Sequence, residues 1–286
     1  MRTALSIAGS DPSAGAGIQA DLKTISAFGV YGLTAITAIT VQNTQQVRSV
    51  QKVRPDIVKD QILCLAEDIP IHAVKIGMVF DREIIEAIAE TLEECRRMPK
   101  VLDPVMISKS GYSLLQEEAR QSLIERLLPH ADLVTPNILE AEAITGDRID
   151  SEPAMRQAAE KIRRLGPARV VIKGGHSQMA EATDIYLDES GFRSYPAPRI
   201  ATRNTHGTGC TFSSAIAAGL ALGWDYPAAV AKAKEYISRA LASSVSLGSG
   251  HGPTHHFHAF YSLEETGPAE PLEPGFLPSQ SPGDRP

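Results

Sequence analysis

The sequence predicts an α/β fold with a mostly parallel sheet covered by helices on both faces. Two observations carry this expectation. Short apolar runs alternate with amphipathic helical segments over most of the chain, which is the pattern of strand–helix–strand units. Polar or unusual residues also fall just after the runs: Asp11, Gln42, Met78, Asp103, Asn137 with Glu140, and Lys173. In open α/β sheets ligands bind outside the carboxyl ends of the strands, so these residues are expected to share one rim.

The elements follow in order. Thr3–Ala8 reads as a buried strand, and a glycine-rich turn leads into a helix with Ile18, Leu22, Ile25 and Phe28 on one face and Gly29 as its stop. Tyr31–Val41 is a second strand. Val47–Val53 alternates polar and apolar positions, as a short exposed strand or flap would. Pro55 opens an amphipathic helix. Then come a strand His72–Ile76, a helix from about Asp81 to Arg96, a strand Lys100–Asp103, a helix near 116–128, a strand Asp132–Thr135, and helices near 138–145 and 152–165. Arg169–Lys173 is a strand, and segments near 183–188 and 192–196 form a hairpin about Glu189-Ser190-Gly191. A helix over 209–222 stops at Gly223. Asp225 and Pro227 start another, which is expected to run to about Leu247.

Composition narrows the function classes. Of 286 residues, 43% are hydrophobic and 22% charged, the balance of a globular chain with room for one large domain. The net charge is −6 and no Lys/Arg block stands out, which argues against a nucleic-acid or anionic-membrane surface. Cys64, Cys95 and Cys210 are scattered, without Cys-x-x-Cys spacing, so neither a disulfide framework nor a zinc site is expected. A reducing cytoplasm is the expected compartment. The apolar run near Met1 is too short for a signal segment, and no uncharged run of about 18 residues occurs.

The stretch Arg203–Phe212 holds the chemistry. Phe212, Ile216 and Leu220 recur at helical spacing, so Gly207, Thr208, Gly209 and Cys210 occupy a helix start whose N–H groups lack intrahelical acceptors. Such a start is an anion site at the positive end of the helix dipole. Glycine at 207 and 209 removes Cβ atoms that would hold a phosphate off. A cysteine there is expected to have a depressed thiol pKa. The plainer alternative is a buried, capped helix with Cys210 as a small apolar filler.

Other motifs are less decisive alone. Gly15-x-Gly17-x-x-Ala20 matches a dinucleotide fingerprint, but the turn before it is long and the second strand ends in Gln42-Asn43 rather than an acidic residue. It reads better as a second substrate-lining loop, with Asp21 one turn into the helix and able to accept from an amine. No P-loop or protein-kinase signature is present. Lys173 at its strand end wants an anion, or else a rim salt bridge. Asp103 and Glu140, sharing its rim, can reach Mg²⁺ directly or through water. The histidines at 251, 255, 256 and 258 read as a solvated edge rather than a metal site, and 206 is expected to point away from the site.

Taken together, certain segments carry a resemblance. They are Ala8-Gly9-Ser10-Asp11, Gly15-Ala16-Gly17-Ile18-Gln19-Ala20-Asp21, Thr40-Val41-Gln42-Asn43-Thr44, Lys75-Ile76-Gly77-Met78, Asp103-Pro104-Val105-Met106, Thr135-Pro136-Asn137-x-x-Glu140, Ile172-Lys173-Gly174-Gly175-His176 and Asn204-Thr205-His206-Gly207-Thr208-Gly209-Cys210. In this order they resemble the bacterial hydroxymethylpyrimidine/phosphomethylpyrimidine kinases of thiamine biosynthesis, within the ribokinase-like superfamily, from about residue 3 to 258. The resemblance implies a three-layer α/β/α sandwich with a small flap. Residues 1–262 would be the kinase domain, and 263–286, rich in Pro and Gly, a disordered tail.

It also implies a reaction: ATP, with Mg²⁺, phosphorylates 4-amino-5-hydroxymethyl-2-methylpyrimidine to the monophosphate and then to the diphosphate. Asp21 and Gln42 would hold the aminopyrimidine edge, and Met78 and Val105 would line the ring. Cys210 would be the base at the hydroxyl, within the anion site of Gly207, Thr208 and Gly209. Lys173 would contact the transferring phosphate, and Asp103 and Glu140 the Mg²⁺–water system. A homodimer is expected, binding small molecules and neither nucleic acid nor membrane. Two alternatives stay open, a vitamin B6 kinase of the same superfamily and a non-catalytic vitamer-binding protein. A cysteine-dependent hydrolase is disfavoured for want of an oriented His base.

Overall fold

The structure, a computed structural model, describes residues 1–94, 98–106, 114–115, 117–176 and 181–263. Cys95 and all but the first residue of the tail expected over 263–286 lie outside the described residues. Nine strands among them make one sheet: β1 Thr3–Ser10, β2 Tyr31–Gln42, β3 Val47–Lys52, β4 Ala73–Ile76, β5 Lys100–Leu102, β6 Leu133–Val134, β7 Arg169–Ile172, β8 Asp184–Asp188 and β9 Gly191–Tyr195. The order is β3-β2-β1-β4-β5-β6-β7-β8-β9. The strands from β2 to β7 in this order run parallel, β3 pairs antiparallel with β2, and β8 and β9 close the other edge as an antiparallel hairpin.

The helices are α1 Gly17–Ala27, α2 Pro55–Asp68, α3 Arg82–Glu94, α4 Glu117–Ser122, α5 Ile138–Thr145, α6 Glu152–Arg163, α7 Thr208–Ala221 and α8 Tyr226–Ala242. They form two layers because strand side chains alternate between faces. Leu5, Ile7, Val74, Ile76, Val170 and Ile172 point into a core with Val58, Ile62, Ile84, Ile88, Ile144 and Met155, from α2, α3, α5 and α6. Their neighbours Ala4, Ala73 and Val171 point the other way, onto Ile25, Phe212, Ile216, Val230 and Ile237 of α1, α7 and α8. The small residues Ala215, Ala217 and Ala218 let α7 settle deeply, and every residue from Thr211 to Ala221 is buried.

Two expected elements end differently. α8 stops at Ala242 rather than near Leu247, because the Ser244 hydroxyl donates back to the Leu241 carbonyl and competes with helix continuation. The expected helix near 116–128 is α-helical only to Ser122; a π turn over Leu123–Leu127 follows, then a 3₁₀ turn over Leu128–His130 that contains Pro129. The strand order reverses between β1 and β4, the switch point at which a parallel sheet opens a crevice at its carboxyl edge.

Candidate active site

A cavity of about 330 Å³ occupies that crevice. Its walls include Gln42, Met78, Asp103, Val105, Glu140, Lys173, Gly207, Thr208, Gly209 and Cys210, so residues spread over much of the chain meet there. The convergence follows from topology, since these residues sit at or just past a strand end, in the first turn of α5, or at the start of α7.

The α7 start is built by backbone shape. Gly207 is its N-cap in the left-handed conformation, φ 76°, and a Cβ there would run into the Gly15 carbonyl. No side chain caps the helix, which leaves the first-turn amides to other partners. Thr208 is partly committed: its N–H reaches Thr205 O at 3.4 Å and its hydroxyl donates to the same oxygen at 2.7 Å. Gly209 faces the charged groups, for a Cβ there would lie 3.2 Å from both Asp103 Oδ2 and Lys173 Nζ.

Those groups form a compact cluster. Lys173 Nζ donates to Asp103 Oδ1 at 2.7 Å and stands 3.9 Å from Glu140 Oε2. Burial works against the Lys173 charge, but Asp103 and Glu140 outweigh it and raise its pKa, so the amine stays protonated. Burial pushes the Glu140 carboxyl up to about 7, against the pull of Lys173. Glu140 also has a structural duty: its Oε2 accepts from Asn137 N at 2.8 Å while Asn137 Oδ1 accepts from Glu140 N at 3.0 Å, a capping box that starts α5.

Three expectations are corrected here. Asp21, expected at the pocket, is fully buried beneath it. It shares the inward face of α1 with Ile18 and Ile25. Its Oδ1 accepts from Lys75 Nζ at 3.0 Å and Ser214 Oγ at 2.8 Å, and its Oδ2 from Lys75 Nζ at 2.8 Å and Ser6 Oγ at 2.5 Å. Cys210, expected to have a depressed pKa, is pushed up to about 11. Burial is the main cause; Lys75 and a Gly17 N–H pull it down, while Asp21 and Asp103 push it further up. Burial outweighs the pull of Lys75 and Gly17. His206, expected to point away, turns inward: its Nε2 sits 2.7 Å from Asp11 Oδ2 and 3.2 Å from Gln42 Nε2.

Of the histidines after α8, His251 is exposed as expected and His258 half-buried, but two depart from the solvated edge. His255 and His256 are buried, with His256 Nε2 3.1 Å from Thr211 Oγ1, and burial holds the His256 pKa down to about 3. Among the described residues no group of three or more His, Cys, Asp or Glu side chains is placed to hold a metal ion.

The comparisons bear on which reaction uses this pocket. A model of the phosphomethylpyrimidine kinase family matches residues 11–255. The chain belongs to the phosphomethylpyrimidine kinase family. The hydroxymethylpyrimidine/phosphomethylpyrimidine kinase of Rhizobium meliloti is 51% identical over 90% of this chain and 98% of its own length, and that of Escherichia coli K12 is 44% identical with the same coverage. The chain also matches a thiamine biosynthesis bifunctional protein of Geobacter sulfurreducens at 49% identity, where it spans about half, 52%, of that longer protein. Among solved structures, phosphomethylpyrimidine kinase from Clostridium difficile 630 superposes with a TM-score of 0.76 at 49% identity, covering 84% of this chain and 100% of that one. An ADP complex of Bacillus subtilis pyridoxal kinase gives 0.85 at 39% identity, covering 91% and 98%.

Three further lining residues, Lys234, Asp184 and His206, make polar contacts that the sequence does not announce. Lys234 Nζ reaches Asp184 Oδ2 at 2.8 Å and Asp184 Oδ1 accepts from Gly174 N at 2.8 Å, both residues at the far wall. His206 is the third. Lys234 lies on a helix facing the hairpin strand β8, a pairing that no local spacing announces.

Proposed function

We propose that the protein transfers the γ-phosphoryl group of ATP to 4-amino-5-hydroxymethyl-2-methylpyrimidine, and then a second group to the resulting monophosphate. The observation that carries this reading is the juxtaposition at Gly209, where the open first turn of α7 faces Lys173 and Asp103 so closely that a Cβ there would stand 3.2 Å from each. Phosphoryl transfer asks for positioning and charge neutralisation more than for covalent chemistry. Preorganised helix N–H groups and a lysine ammonium supply that for the anion. Identity of 43–51% to curated kinases of this specificity supports the substrate assignment.

In this reading the aminopyrimidine lies between Met78 and Val105 with Gln42 at its polar edge, and its hydroxymethyl group points to Cys210. Burial keeps the resting Cys210 a neutral thiol, which orients the hydroxyl; as a thiolate it would also take the proton. Gly207, Thr208 and Gly209 hold the transferring phosphate together with Lys173. Asp103 and Glu140 are oxygen donors on either side of the Lys173 amine. Two such carboxylates suit Mg²⁺, which keeps much of its water and is shared with substrate phosphates. When bound there, Mg²⁺ would neutralise phosphate charge. The same reading makes the protein a cytoplasmic homodimer; the free thiols of Cys64 and Cys210 suit a reducing compartment.

A second reading is favoured by one observation, the superposition on pyridoxal kinases with TM-scores of 0.85 and 0.83. In that reading pyridoxal, a pyridine with a hydroxymethyl arm, enters the same pocket. One assay separates the two. With Mg-ATP and hydroxymethylpyrimidine, its monophosphate or pyridoxal, ADP release should be fast with both pyrimidines, and Cys210→Ala should lower kcat about 100-fold. Turnover of pyridoxal alone would overturn the assignment, and an unchanged rate in Cys210→Ala would remove the thiol from the chemistry.

A further inference from the structure

At the pyrimidine end of the cavity, one contact cannot stand as two donors. Asp11 is buried and its carboxyl is held below the usual range: burial works to raise it, and the His206 and Ser13 hydrogen bonds overcome that. It is therefore a carboxylate, an acceptor only. The Nε2 of His206, 2.7 Å from Asp11 Oδ2, must carry the proton and donate. The same Nε2 lies 3.2 Å from the nitrogen end of the Gln42 amide, which is also a donor. An amide can be turned over without changing its outline, so its polarity is set by its partners.

Only one arrangement satisfies all three side chains. We propose that the buried Asp11–His206 pair fixes the polarity of Gln42, with His206 Nε2–H shared between Asp11 and the Gln42 oxygen, so that the Gln42 NH₂ is presented to a ring-nitrogen acceptor of the substrate. His206 is then a positioning residue that sets specificity at one remove. A ring-nitrogen acceptor is read, whereas a donor in that position would meet the NH₂ group head on. The inference rests on the reading that Gln42 borders the pyrimidine.

The surrounding chain holds the pair in place. Asp11 Oδ1 also accepts from Ser13 N at 2.9 Å and Ser13 Oγ at 2.7 Å, and Oδ2 from Ala16 N at 2.9 Å. His206 N donates to Gly252 O at 3.0 Å, and its ring packs where Gly15 lacks a Cβ. These contacts tie the pair to the turn before α1 and to the segment at Gly252.

The test uses the intact protein. In protein labelled with ¹⁵N-histidine, the His206 ring should show a protonated Nε2; an Nδ1–H tautomer with a bare Nε2 overturns the proposal. Kinetics give a second readout. Glutamine can place an N–H where Nε2–H stands and asparagine cannot reach it. His206→Asn should therefore raise KM for hydroxymethylpyrimidine about ten-fold, the worth of one well-placed hydrogen bond. His206→Gln should restore it, with KM for ATP unchanged in both. Equal loss in the two variants, or loss shared by ATP, assigns His206 a merely structural role and overturns the proposal. Gln42→Ala separates the underlying reading: if it leaves the pyrimidine KM unchanged, Gln42 does not border the substrate and both ideas fall. If it raises KM while His206→Asn does not, only the polarity argument falls.

Discussion

Two aspartate–lysine pairs lie close together in this molecule and differ in what surrounds them. Asp21–Lys75 is closed. Both side chains are 0% exposed, and the carboxylate oxygens are taken up by the lysine, Ser6 and Ser214, which stitches α1, β1, β4 and α7 together beneath the cavity floor. Asp103–Lys173 is open. Lys173 is 14% exposed, it lines the cavity, and its other carboxylate neighbour is 3.9 Å away, so its remaining N–H groups face the space beside Gly209. The same two residue types make a strut in one place and a phosphate-facing charge in the other. The difference lies in whether the partners use up the hydrogen-bonding capacity of the pair.

The largest expected effect breaks the closed pair. Lys75→Met leaves the Asp21 carboxylate buried and uncompensated, and urea unfolding should show a loss of about 3–5 kcal/mol. Replacing both partners, Asp21→Asn with Lys75→Met, should recover a large share of that loss, because no unpaired charge remains. A single variant as stable as the parent would mean the pair is not the strut described.

The open pair should respond in the other currency. Lys173→Met is expected to lower kcat about 100-fold, in the range seen when one preorganised charge donor is removed, with a smaller change in stability than Lys75→Met. If stability falls as far as for Lys75→Met while the folded fraction turns over normally, the division of roles is wrong.

The sequence made the fold and most of the rim legible for reasons these pairs illustrate. Strands buried on both faces read as plain apolar runs, as Val170-Val171-Ile172 does, and residues at strand ends then converge by topology alone. Gly207 and Gly209 were legible because close backbone approach leaves a glycine behind. The orientation of Asp21 was not, since it depends on meeting Lys75 across 54 positions and Ser214 across 193. His206 and the buried His255 and His256 were hidden likewise: their surroundings come from loops returning from elsewhere. The pKa of Cys210 was misjudged because spacing shows a helix start but not the depth of burial that opposes it.

The Cys210 thiol, between the two pairs, reports how nearly Asp21 offsets the charge of Lys75. Lys75 pulls the thiol pKa down, but Asp21 beside it pushes back, and burial decides the balance. The direct measurement is the pH dependence of iodoacetamide alkylation at Cys210 in the free protein, followed by peptide mass. Because only the thiolate reacts, the rate should stay low at neutral pH and rise toward a midpoint near 11. A midpoint at or below the ordinary thiol value of about 8.5 would show the ammonium and the helix dipole acting unopposed, and would contradict the account.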